Sequence, residues 1–268
     1  MADHKAPKAA DKVPQHRRQA TTPAAGQGRS APLPDRAGLT AQVAILHGVL
    51  SNAGNSRRAR DAADAAHRAF DRSMARHFRA EALACRRGCS FCCHAYVAAS
   101  APEALLAAAA VRAWPRAQRD AAVARIRATD DRTRGLAPHQ RIGPEMPCPM
   151  LVDGRCSAYG VRPFSCRAEV SMDAGACERL MHGEPARRLA PAFPHRLKMM
   201  ESTALAVAAS KVGLRAGILE FNAALRIAID ADDAEARWLR GEDVFADAAV
   251  HPAAWAANDQ ASTIDGAG

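Results

Sequence analysis

The chain has 268 residues, of which 49% are hydrophobic and only 4% aromatic, and it carries a formal net charge of +9. That is enough for one core with tails, although much of the apolar fraction is alanine, which buries little area per residue. A membrane span is excluded, because the most apolar run, residues 104–111, falls far short of the ~20 residues a bilayer requires and lies between Glu103 and Arg112.

Up to residue 36 the chain mixes Ala, Pro, Gln, Lys and Arg without apolar periodicity and reads as a disordered basic tail, unable to offset the entropy of ordering itself. Pro14, His16, Arg17 and Arg18 stand where a secretory signal would need an apolar stretch, so a cytoplasmic location is expected. In that reducing compartment cysteines ligate metals rather than pair as disulfides. Leu39, Val43, Leu46, Val49 and Leu50 recur at helical spacing and predict a helix over residues 40–51, stopped by Asn52, Gly54 and Asn55. A longer charged helix is expected over residues 56–84, with Ala62, Ala66, Phe70, Met74 and Ala82 along one side.

Ser100 with Glu103 three residues on has the capping-box arrangement and opens a helix that should end near Trp114-Pro115. Residues 116–129 read as another helix and 130–147 as a polar connection. Over 150–156 the Asp153-Gly154 pair between short apolar runs predicts a β-hairpin. Helical composition returns over 199–230, broken near Gly213 and Gly217, and again over 234–240. The expected fold class is therefore mainly α: a disordered tail over 1–36, one helical domain over 37–250 containing the cysteine region 85–177, and a loose tail over 251–268. Trp114, Trp238 and Trp255 are read as packing residues.

Charge is uneven. Residues 57–87 hold nine arginines against four acids, whereas from Asp230 onward nine acids face Arg237 and Arg240. With no aromatic interleaving or nucleic-acid motif, this pattern is read as solvated helix faces and mutual compensation, not as a nucleic-acid surface.

All eight cysteines lie between Cys85 and Cys177, and four form one knot, Cys85-x3-Cys89-x2-Cys92-Cys93, followed by His94. A helix would place these four on one face, while Gly88 allows a loop instead. Four cysteines in nine residues are poorly explained as small apolar packing in a chain that uses alanine for that purpose. Cys148, Cys156, Cys166 and Cys177 supply the second half, so the thiols divide as two four-sulfur sites or one site drawing on both stretches. Either suits zinc or an iron–sulfur cluster. Arg162 and Arg167 are expected beside the ligands, offsetting their charge, and His94 as a hydrogen-bonding neighbour. Tyr159, Arg162 and Pro163 are expected to shape the loop between Cys156 and Cys166.

The knot, together with Cys148-Pro149-x-Leu151-x2-Gly154-x-Cys156-x2-Tyr159-x2-Arg162-Pro163-x2-Cys166-Arg167, resembles the YkgJ-type cysteine-cluster proteins, named for a CxxCxxCC pattern. The resemblance spans residues 85–177 and implies zinc or iron chelation by a small, mostly helical cytoplasmic domain whose biochemical role is unsettled. One departure is the first gap, three residues here against two in the family pattern. Cys85-x3-Cys89-x-Phe91-Cys92 also fits the spacing of radical S-adenosylmethionine enzymes, and the cluster is similar to that of flagellin lysine N-methylases. An iron–sulfur enzyme of either type is the alternative, although the strand alternation of a β/α barrel is missing. The expected partner is a metal ion, with a protein partner a further possibility.

Overall fold

Asp35 caps the first helix, its Oδ1 accepting from the Gly38 amide at 2.8 Å, and α1 runs Arg36–Ser51, beginning four residues before the apolar periodicity alone indicates. The computed structural model describes residues 35–79 and 83–250. The tail expected over 1–36 falls outside the described residues except for its last two, which belong to α1 and its cap. The C-terminal segment with Trp255, and Ala82, also lie outside them.

Helix α2 spans Arg58–His77 and buries Ala59, Ala62, Ala63, Ala66, His67 and Phe70. It ends well before residue 84. Phe78 is already extended, and residues 83–86 approach Cys85 without helical structure. Helix α3 (Ala101–Arg112) packs against α2, and α4 (Arg116–Thr133) follows after Trp114-Pro115. After the cysteine region come α7 (Ala192–Lys211), which packs on α1 and α2, and α8 (Phe221–Asp230), which packs on α3 and α4. The short α9 (Ala234–Leu239) buries Trp238. Alanines 62, 66, 104, 108, 204, 208, 224 and 228 are wholly buried, and such small side chains let the helix axes approach closely. Leu46, Leu50, Phe70, Leu197, Leu205 and Leu225 fill the remaining space. Arg60 pairs with Glu235 at 3.3 Å, one direct link between the basic stretch and the acidic end of the sequence.

Strands are few and short. Leu151–Val152 (β2) and Arg155–Cys156 (β3) form the expected hairpin. Ala98–Ala99 (β1) pairs antiparallel with Leu219–Glu220 (β4) across 120 residues of sequence, a contact that two-residue strands do not announce. This pair fastens the chain just after the knot to the start of α8, where the Phe221 amide donates to the Val97 carbonyl at 2.9 Å. Among the described residues no helix is long and apolar enough to cross a membrane.

Candidate metal centre

The knot is a loop. Gly88, at φ 90, makes the turn that lets the Cys89 amide donate to the Arg86 carbonyl, and a 3-10 turn over Phe91–His94 carries Cys92 and Cys93. Glycine adopts this left-handed backbone without the cost a side chain would add.

The second motif begins on the knot itself: the Cys148 amide donates to the Cys93 carbonyl at 2.7 Å, and the Gly143 amide to the His94 carbonyl at 3.1 Å. From there the hairpin presents Cys156 opposite Leu151. Asp153 and Gly154 both have positive φ, 50° and 70°, as a two-residue turn matched to strand twist requires. Arg125 Nε donates to the Pro149 carbonyl at 3.0 Å and steadies the start of the motif.

Helix α5 (Phe164–Arg167) delivers Cys166, with Pro163 fixing its entry. Its first amide, Phe164 N, donates to Glu103 Oε1 at 2.7 Å. Glu103 is buried and makes four contacts, accepting also from His67 Nε2 (3.2 Å) and from the Ser100 amide and hydroxyl (2.8 Å each). Burial opposes its ionisation, but these donors prevail and hold the carboxyl below its ordinary range. The capping role of Glu103 is legible in the sequence. Its grip on α5, 61 residues away, is not.

Helix α6 (Ala174–Met181), capped by Asp173, carries Cys177 and packs against the Phe91–His94 turn. Ser171 links this end to the first cysteine: its amide donates to Cys85 Sγ at 3.3 Å, and its carbonyl accepts from the Ala84 amide at 2.9 Å. Nothing in the sequence singles out Ser171.

All eight cysteines are free thiols. Desolvation raises the Cys166 thiol well above its ordinary value, and the charges of Cys148, Cys92 and Cys156 add to this. Burial pushes Cys148 up to about 12, against an opposing amide at Met150. Cys156 is raised by burial and by Cys92. Cys92 is raised first by a hydrogen bond to Cys93, then by burial. Cys177 is raised by burial, with Cys85, Cys92 and Cys89 as its charged neighbours. Cys92 is thus coupled electrostatically both to Cys156 and Cys166 of the second motif and to Cys177.

The two arginines differ. Arg162, stacked 3.7 Å over the Tyr159 ring, lowers the thiols of Cys92, Cys156 and Cys166. The buried Arg167 donates to oxygens instead, to Asp71 (2.6 Å), the Arg162 carbonyl (2.9 Å) and the Gly160 carbonyl (2.5 Å), and so holds the loop between Cys156 and Cys166.

The donor chemistry fits a thiophilic ion. Thiols whose surroundings raise them, as at Cys148, Cys156 and Cys166, ionise at high cost unless a cation replaces their protons, and two buried polar atoms here, His94 Nδ1 and Arg162 Nε, lack a hydrogen-bond partner. As they stand, no three His, Cys, Asp or Glu side chains among the described residues form a group that could hold a metal. The sulfurs would have to turn inward to reach the ~2.3 Å of a zinc–sulfur bond.

Residues 84–185 match the family model described as "CxxCxxCC: Putative zinc- or iron-chelating domain". The CxxCxxCC match takes in all eight cysteines, the hairpin, α5 and α6. No curated protein and no solved structure matches the chain.

Proposed function

We propose that the chain is a metal-binding protein with one thiolate centre drawn from both cysteine motifs. Cys92 supplies the ligand from the knot and Cys148, Cys156 and Cys166 those from the second motif. Arg162 offsets the charge of the four thiolates. Cys85, Cys89, Cys93 and Cys177 are further thiolate ligands for the same centre or its exchange of metal. The ion is zinc or the iron of an iron–sulfur cluster, each of which four thiolates can hold. The reading is carried by the 2.7 Å backbone bond from Cys148 to Cys93, which joins the stretches next to their sulfurs.

Four protein ligands would saturate zinc and make the centre structural; an open position would make it reactive. A radical-type enzyme would further need a β/α barrel, and the described strands form only two two-residue pairs. Purification without oxygen, followed by a visible spectrum and metal analysis, tests the proposal. Stoichiometric zinc in a colourless protein, or iron and sulfide in a brown one, is the expected result. A chain isolated without bound metal that takes up neither ion would contradict it.

A further inference from the structure

Helix α7 opens beside α5, and the cavity between them gathers basic side chains. His195 and Lys198 are three residues apart and share one face of the helix. With Arg188, Ser165 and Glu169 they line a space of about 240 Å³. Arg188 forms an ion pair with Glu169 at the rim. The half-buried Lys198 and the exposed His195 have no hydrogen bond or ion pair with any described residue.

The electrostatics favour an anion. The Lys198 ammonium is partly desolvated, with Arg188 adding repulsion; Glu103 and Cys166 act in its favour, but the oxygens of Glu103 are already taken by His67, Phe164 and Ser100. Desolvation, then Lys198 and Arg188, hold His195 below its ordinary value, so that its neutral ring contributes an N–H donor and no charge. The first turn of the 20-residue α7 adds its dipole: Pro191 stands at the cap and no side chain bonds the opening amides. A half-buried ammonium without a counter-ion keeps its charge most readily when an oxyanion sits against it.

We infer that this cavity is a binding site for a small oxyanion, a carboxylate or a phosphate, held by Lys198 and His195, with Arg188 able to turn from Glu169 toward it. The volume lies below the ~300–1,000 Å³ of sites for larger organic ligands, so the ligand is small or inserts only its anionic end. The inference is independent of which metal the cysteines hold.

Calorimetric titration of the full-length chain with inorganic phosphate and with acetate, at fixed ionic strength, tests it. Saturable binding is expected, tighter for phosphate if the natural ligand carries a phosphoryl group and tighter for acetate if it carries a carboxylate. Lys198→Gln should weaken the preferred anion at least about tenfold, the loss of one charge-assisted hydrogen bond. Lys198→Arg should retain most of the affinity, and Arg196→Gln, an exposed neighbour outside the cavity, should change nothing. Thermal melting checks that each variant folds. Failure of both anions to saturate the wild-type chain, or equal weakening by Lys198→Gln and Arg196→Gln, would overturn the proposal.

Discussion

The helical scaffold and the cysteine region are held together by different forces. In α1, α2, α3, α7 and α8 most residues hidden from water are alanine, leucine and phenylalanine, and the helices run 10 to 20 residues. In the cysteine region, residues 83–100 and 138–190, the α-helices are four and eight residues long and the strands two, and the ties are side-chain bonds to the backbone from Glu103, Arg125, Arg167 and Ser171. Apolar burial is available to the scaffold without a cofactor. Segments this short draw little from helix or sheet cooperativity. The scaffold should therefore fold on its own chemistry, whereas the cysteine region depends on a few polar bonds and on its metal.

The sharpest way to break this division is to remove the residue common to both regions. Glu103→Ala leaves the Phe164 and Ser100 amides unpaired inside the protein and should cost about 3–5 kcal/mol in urea unfolding. A loss under about 1 kcal/mol would mean that α5 is held by other contacts. The same carboxyl gives a pH signature. Because its folded value lies below its unfolded one, its stabilisation is fully present above the unfolded pKa and is lost as pH falls through the folded value. Glu103→Gln should accordingly flatten the acid side of the stability curve.

Arg167→Met removes three donor contacts, two within the cysteine loop and one to Asp71 of α2, and should cost about 2–3 kcal/mol, with hydrogen exchange rising over residues 156–168 and unchanged in α1. Chelation of the metal should act in the same place: amide protection falls over residues 83–100 and 138–190 while far-ultraviolet helicity, dominated by the scaffold, is largely kept. Gly154→Ala, at φ 70, should cost only about 1 kcal/mol and slow the closing of the hairpin.

Much of the scaffold was legible because its signals are local. The capping box at Ser100, the Pro115 break, the Asp153-Gly154 turn and the leucine spacing of α1 each act within a few residues. The end of α2 was misplaced because the arginine-rich pattern continues past His77, where the chain turns extended to reach the knot. The start of α7 was missed because Pro191 and Pro194 resemble loop residues, yet they fall at the cap and in the first turn, where proline is tolerated. The pairing of β1 with β4 and the bonds of Glu103 to α5 and Ser171 to Cys85 join residues 61 to 122 positions apart, and no local pattern encodes them. The cysteine spacing identified the chemistry, but not the neighbours of each sulfur, which depend on how the knot, hairpin, α5 and α6 meet.

The most direct test compares metal content in two variants purified side by side without oxygen, Cys92→Ser in the knot and Cys166→Ser in the second motif. A shared centre predicts that each substitution alone releases most of the bound metal. Full retention in either variant, or loss of only half in both, would mean that the two motifs hold separate ions and would contradict the account.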